Sequence, residues 1–113
     1  MLRYLISFDD GAMDHIGEGD LPEVSRDSRA VVEAAKQAGV WIFGAGLERR
    51  RAAIVDTDGT VTEGPYPEAK AVVGGFSIIE VEAHEDALSW AAKIAAACRC
   101  AQEVRVLFYD PES

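Results

Sequence analysis

Cysteine is scarce in this 113-residue chain: Cys98 and Cys100 are the two there are, one residue apart. In a strand, residues that close point to opposite faces, so a bridge between them would be strained. With two histidines in the whole chain, His15 and His84, no zinc ligand set is completed either. The two thiols read as reduced, partly buried side chains near an element boundary. Long apolar runs are also missing, since none approaches the roughly 20 residues a spanning helix needs. The first residues show no basic region followed by an apolar core and a small-residue cleavage site. The expectation is a cytoplasmic protein with no membrane partner. Positive charge is short as well: 11 basic against 20 acidic residues leave a formal net charge of −9. Such a surface repels phosphate backbones and anionic headgroups, which argues against nucleic acid as a partner. Gly44-Ala45-Gly46 lacks the third glycine and following helix of a dinucleotide site, and there is no phosphate-loop lysine, metal-binding helix motif or nucleophile elbow. No metal and no cofactor is expected.

What is present suffices for one core. The chain is 49% hydrophobic, and its length fits a single domain over residues 1–113. Residues 2–8, Leu-Arg-Tyr-Leu-Ile-Ser-Phe, read as a strand stopped by Asp9-Asp10-Gly11. Residues 12–20 carry Gly17, Gly19 and charges without periodicity, so they read as a loop, and a mobile one, holding His15. Pro22 and Glu23 suit the first turn of a helix. Val24, Val31, Val32, Ala35 and Ala38 form its apolar stripe, and Gly39 ends it in the left-handed conformation. Residues 40–47 follow as a strand in which Gly44 and Gly46 leave one face bare for a close approach. Glu48-Arg49-Arg50-Arg51 is the one basic cluster and reads as a solvated turn. Residues 52–56 and 60–63 form a hairpin around Thr57-Asp58-Gly59.

The hairpin leads into Glu63-Gly64-Pro65-Tyr66-Pro67-Glu68-Ala69-Lys70, where two prolines and a glycine fix a loop beside the most buried strand, residues 74–81. The pair Gly74-Gly75 marks a bulge or tight approach at the start of that strand. Residues 83–95 form the second helix, with Ala87, Leu88, Trp90, Ala91, Ile94 and Ala95 as its stripe. Residues 103–109 are the last strand and 110–113 a polar tail. Strand, helix, strand, hairpin, strand, helix, strand predicts an α+β, ferredoxin-like split βαβ sandwich with an extra hairpin. Both helices then lie on one face. The other face is apolar too, so a homodimer is expected.

Two groups of residues could carry function. Glu63, Tyr66, Glu68 and Lys70 on the proline loop are the ligand-binding candidates. Glu68 and Lys70 share a face in an extended stretch and present either an ion pair to a polar ligand or a contact across a dimer seam. His15 is the catalytic candidate, a base oriented by Asp9, Asp10 or Asp14, set against a plain solvated loop histidine. His84 reads as a capping or exposed residue at the second helix.

The order and spacing of these pieces resemble the YCII-related, or DGPF-domain, family over nearly the whole chain. The carrying residues are Met1-Leu2-Arg3-Tyr4-Leu5-Ile6, Ala38-Gly39-Val40, Gly44-Ala45-Gly46-Leu47, Asp58-Gly59, Gly64-Pro65-Tyr66 with Glu68 and Lys70, Gly74-Gly75-Phe76 and Glu85-Asp86-Ala87-Leu88-Ser89-Trp90-Ala91. The name-giving Asp-Gly-Pro-Phe stands here as Glu63-Gly64-Pro65-Tyr66, keeping a carboxylate and a ring. The resemblance implies a dimeric α/β barrel built from two ferredoxin-like units, in a family whose members mostly lack an assigned reaction. Some relatives have a proposed His and Asp pair on the first helix and following strand; the matching helix position here is Ser28, and the helix has no histidine. The function expected is binding of a small polar metabolite between sheet and helices, as a ligand-binding or regulatory domain. The alternative is an isomerase, lyase or dehalogenase-like enzyme using acid/base residues in the same cleft.

Overall fold

Strand β1 (Leu2–Asp9) lies at the middle of the molecule because its neighbours come from both halves of the chain. A computed structural model of the protein describes residues 1–48, 52–63 and 73–112. After β1 come a short 3-10 turn (Glu18–Asp20), helix α1 (Leu21–Gln37), β2 (Trp41–Gly46), the hairpin β3 (Ala53–Val55) and β4 (Val61–Glu63), β5 (Val73–Val81), helix α2 (His84–Cys98) and β6 (Glu103–Val106). The sheet runs β2-β5-β1-β6 with antiparallel pairing throughout, and β3-β4 forms a separate ribbon. This is the ferredoxin-like split βαβ order, with the expected extra hairpin inserted between β2 and β5.

Alternation along the strands sorts the two faces. Tyr4 pairs with Ile79 and Ile6 with Ser77, and Tyr4, Ile6, Ile79 and Val81 form the core with Ala87, Ala91 and Ile94 of α2. Among the described residues only Ile6 and Ile79 are large side chains wholly removed from water. The alanines let α2 approach the sheet closely, and they also keep the core small. From α1, Val24 and Ala35 are buried, while Ala38 caps the helix in the open. Gly39 follows at φ +76°, the left-handed C-terminal position its sequence context predicts.

On the opposite face Leu5, Phe76 and Ile78 are half-buried, and Phe43, paired with Ile78, is 55% exposed. The Phe43 and Phe76 rings lie 5.9 Å apart. Arg3 pairs with Glu80 across β1 and β5 at 2.7 Å on the surface. No described helix covers this face. For its mass of 12.2 kDa the chain exposes 8211 Å², against about 6,100 Å² for a typical monomer of that size.

The last strand ends at Val106, three residues short of the expected 109. Tyr4 is opposite Val106 and Leu107 N–H still reaches the Arg3 carbonyl, and the ladder stops there although β1 extends to Leu2. Phe108 is fully exposed. The hairpin strands are likewise shorter than the expected 52–56 and 60–63.

The two glycines opening β5 are there for packing. Register slips between Phe8 and Asp9, leaving Gly74 as the extra residue of a bulge. A Cβ on Gly74 would sit 2.9 Å from the Asp9 carbonyl oxygen and the Asp10 Cα. A Cβ on Gly75 would sit 2.5 Å from the Phe8 ring, which lies across it. Gly75→Ala is expected to lower stability by about 1–3 kcal/mol through overpacking. Gly46→Ala, where a Cβ meets nothing within 4 Å, is expected to change it by less than about 0.5 kcal/mol. Urea unfolding midpoints of the two variants check this, and equal midpoints would contradict it.

Candidate functional site

Three chain segments meet at one end of the sheet: the loop leaving β1, the first turn of α1 and the C-terminus of α2. The loop is better tied than its glycines suggest. Ala12 N–H donates to the Asp9 carbonyl, Asp14 to Gly11 and Ile16 to Met13, each at 3.0–3.1 Å, and Asp20 N–H returns to Gly17. Gly11 supplies the positive φ, +83°, that lets the chain turn away from β1. The expected loop is a run of turns, with Met13 and Ile16 half-buried.

This arrangement puts His15 and Ile16 against Asp20, Glu23 and Val24 of the α1 entry and Arg99 at the end of α2, around a cleft of about 330 Å³. Arg99 is the best-anchored charge there. It ends α2 in the left-handed conformation, φ +61°, unusual for a residue with a Cβ. Its guanidinium donates to the Ala96 and Ala97 carbonyls at 2.9 and 2.7 Å and to Asp27 Oδ2 at 2.8 Å. One side chain thus satisfies the free carbonyls of α2 and ties α2 to α1. The Asp27 hydrogen bond pushes the Arg99 pKa above its ordinary value against a smaller opposing effect of burial, and the charges of Asp27, Glu23 and Asp20 add to the rise. Three of the five guanidinium N–H groups are used on the helix end and Asp27, and two carboxylates, Asp20 and Glu23, share the cleft lining with Arg99 and His15. It suits a small polar ligand rich in hydrogen-bond donors.

The expected grouping of His15 with Asp9, Asp10 and Asp14 joins one loop, but the side chains that share the cleft with His15 are those of Asp20, Glu23 and Arg99. Asp9 and Asp10 stand at the adjoining sheet edge, where Gly74 comes against their backbone. Glu63 ends β4 and is exposed. Tyr66, Glu68 and Lys70, with the rest of the proline loop and Arg49-Arg50-Arg51, lie outside the described residues. Because β2 ends at Gly46 beside Gly75, and Leu47 N–H bonds the Gly74 carbonyl, the hairpin is rooted at the sheet end that carries Asp9 and Asp10. Among the described residues no three His, Cys, Asp or Glu side chains are placed to hold a metal ion.

Two positions have structural work instead. Ser28, where relatives' helix histidine would fall, donates to the Val24 carbonyl at 2.7 Å and lies 3.7 Å from Cys98 Sγ, so it faces α2. His84 is the first residue of α2, behind an Ala83 cap with no side-chain bond, and its Nδ1 is 3.0 Å from the hydroxyl of buried Tyr4. Which of the two groups donates depends on the tautomer of the ring. His84 is exposed at the start of α2, one of the two readings of its sequence position, and the contact with Tyr4 adds a role that reading did not include. A sequence signal for it existed only as a tyrosine in a strand expected to be buried, which needs a partner for its hydroxyl.

With the architecture in place, the class is clear: a ferredoxin-like α+β domain with one sheet face left without helices. The sequence matches the model of the YCII-related domain over residues 14–108, and the chain belongs to that family. Among the solved structures it is similar to a 5-chloro-2-hydroxyhydroquinone dehydrochlorinase from Burkholderia phenoliruptrix AC1100, in complex with 2,5-dihydroxybenzoquinone. That similarity has a TM-score of 0.53 at 16% identity and covers 99% of this chain and 98% of the other. At that identity the likeness is one of fold. No curated protein matches the sequence.

Both cysteines are free and half-buried. Burial, and next the nearby Cys98, push the Cys100 thiol above its ordinary pKa, while a hydrogen bond with Gln102 lowers it in part. A raised pKa leaves little thiolate near neutrality. Cys100 is therefore expected to react with iodoacetamide more slowly than free cysteine at pH 8, read by peptide mass spectrometry. Reaction as fast as the free thiol would contradict the environment described.

Proposed function

We propose that the protein binds a small polar metabolite at the sheet end where the β1 loop, α1 and α2 converge, and that it does so as a homodimer. The observation that carries the reading is the cleft of about 330 Å³ in which His15, Asp20 and Glu23 face Arg99, on a fold whose family is known. The volume falls in the range of small-ligand sites. Glu63, Tyr66, Glu68 and Lys70, the candidates on the proline loop, are outside the lining of this cleft or outside the described residues. The dimer reading is supported by the apolar helix-free face bearing Phe43, Phe76 and Ile78. A face of that kind is covered in stable proteins. The role is that of a ligand-binding or regulatory domain in the cytoplasm.

A second reading has its own support. One structural neighbour is a dehydrochlorinase in complex with 2,5-dihydroxybenzoquinone. On that reading His15 exchanges a proton with a hydroxylated ring compound, and Glu23 or Asp20 holds the imidazole in orientation.

A thermal-shift panel of metabolites that includes 2,5-dihydroxybenzoquinone tests both. A ligand bound only by the folded state adds about 2.7 kcal/mol at a hundredfold excess over Kd. The expected hit raises the Tm of the wild type, loses at least about half its shift in His15→Ala and Glu23→Gln, and keeps it in Glu33→Gln on the far part of α1. Consumption of the hit, followed by absorbance and lost in His15→Ala, selects the enzyme. Hits that shift all variants equally would place the ligand elsewhere.

A further inference from the structure

A bridge between Cys98 and Cys100 reads as strained in the sequence because strand residues two apart point to opposite faces. The structure puts neither thiol in a strand. Cys98 is the last residue of α2, and β6 begins only at Glu103. Between the cysteines Arg99 turns left-handed, at φ +61° and ψ +29°, and the N–H groups of Arg99 and Cys100 both return to the Ala95 carbonyl. Those angles are close to the mirror image of a helix. They bring Cα atoms two residues apart to about 5.5 Å, inside the roughly 4.4–6.8 Å that a disulfide spans. A helix continued through Arg99 would instead carry Cys100 about 200° round the axis from Cys98. The reversal of hand at Arg99 prevents that. Each sulfur has only a weak polar contact: Cys98 Sγ lies 3.7 Å from Ser28 Oγ, and Cys100 Sγ lies 3.5 Å from Gln102 Nε2. The charge of Cys98 is felt at Cys100, where it is the second cause, after burial, of the raised thiol pKa.

We propose that Cys98 and Cys100 are a reversible thiol–disulfide site built across Arg99, which exchanges with low-molecular-weight disulfides. Cys98 as thiolate attacks one sulfur of the small disulfide, forming a mixed disulfide and releasing one small thiolate. Cys100 then gives up its proton and attacks the Cys98 sulfur, releasing the second. Two protein thiols are oxidised, one small disulfide is reduced to two small thiols, and the two protein protons end on them. Closing the bridge makes a ring through the Arg99 backbone. It therefore holds the same left-handed turn that the guanidinium holds through Ala96, Ala97 and Asp27. Oxidation is thus joined to the tie between α1 and α2, and to a side chain that lines the His15 cleft. A bridge over so short a loop is of the labile kind, open in a reducing compartment and closed when small disulfides accumulate.

The full chain, equilibrated in mixtures of reduced and oxidised glutathione, quenched with acid and alkylated in denaturant, is weighed intact to test this. The expected product is a single chain without either alkyl group. Trypsin, cutting after Lys93, Arg99 and Arg105, is expected to leave peptides 94–99 and 100–105 joined. The ratio of bridged to reduced protein is expected to be at least about tenfold higher for the folded chain than for the same chain in urea, because the fold holds the two residues in place. Arg99→Gly, which admits the left-handed backbone without a Cβ, is expected to stay within about threefold of wild type. Arg99→Val, a β-branched residue disfavoured in that conformation, is expected to lower the ratio about fivefold or more. Glutathione mixed disulfides with no bridge, a bridge found only between two chains, or equal ratios for folded and urea-unfolded protein would each overturn the site. None of these readouts depends on the ligand proposed for the cleft.

Discussion

Two helices can cover one face of a four-stranded sheet, and here they cover it with small side chains. The contact between α2 and the sheet is made through Ala87, Ala91 and Ile94 against Tyr4, Ile6, Ile79 and Val81. Close approach of an alanine face gives good packing but little volume, and domains of this size have little core to spare. Everything else in the molecule follows from that shortfall. The second sheet face carries Leu5, Phe76 and Ile78 behind the central strands β1 and β5, beside the Arg3–Glu80 ion pair. The hairpin is inserted between two strands that must pair, and among the described residues neither of its strands touches another element.

The same packing sets the site. Drawing α2 close to α1 brings the end of one helix beside the start of the other, and Arg99 joins them through Asp27 while satisfying the carbonyls of α2. The loop from β1 must pass this junction, and it carries His15 into the space between. A ligand-sized cleft with a histidine at its mouth is thus a consequence of how two helices are tied together. The cost falls on the left-handed backbone of Arg99, which a side chain with this many anchors can hold.

Much of the fold was legible because it rests on local chemistry. Gly39 after an amphipathic stripe, Asp58-Gly59 between two short β-branched runs, and paired glycines at a strand start each mean one thing for the backbone, and each was found where expected. The strand reading failed at Phe108 and Tyr109 because their composition is β-like, whereas a strand is made by pairing, and the ladder with β1 stops at Leu107 and Arg3. The site was legible only in outline. His15 and its acidic surroundings could be picked out, but its neighbours across the cleft come from α1 and α2, about 5 to 84 residues along the chain. Neither the left-handed Arg99 nor the Tyr4–His84 bond has a local signal, since both depend on tertiary contacts.

The account stands on the claim that one chain does not complete its own surface. The most direct measurement is the mass of the wild-type protein by light scattering through a dilution series at micromolar concentration. The account predicts a species of twice the 12.2 kDa chain mass that persists on dilution. A mass that stays at that of one chain throughout would contradict it, and the uncovered sheet face would then need a different physical explanation.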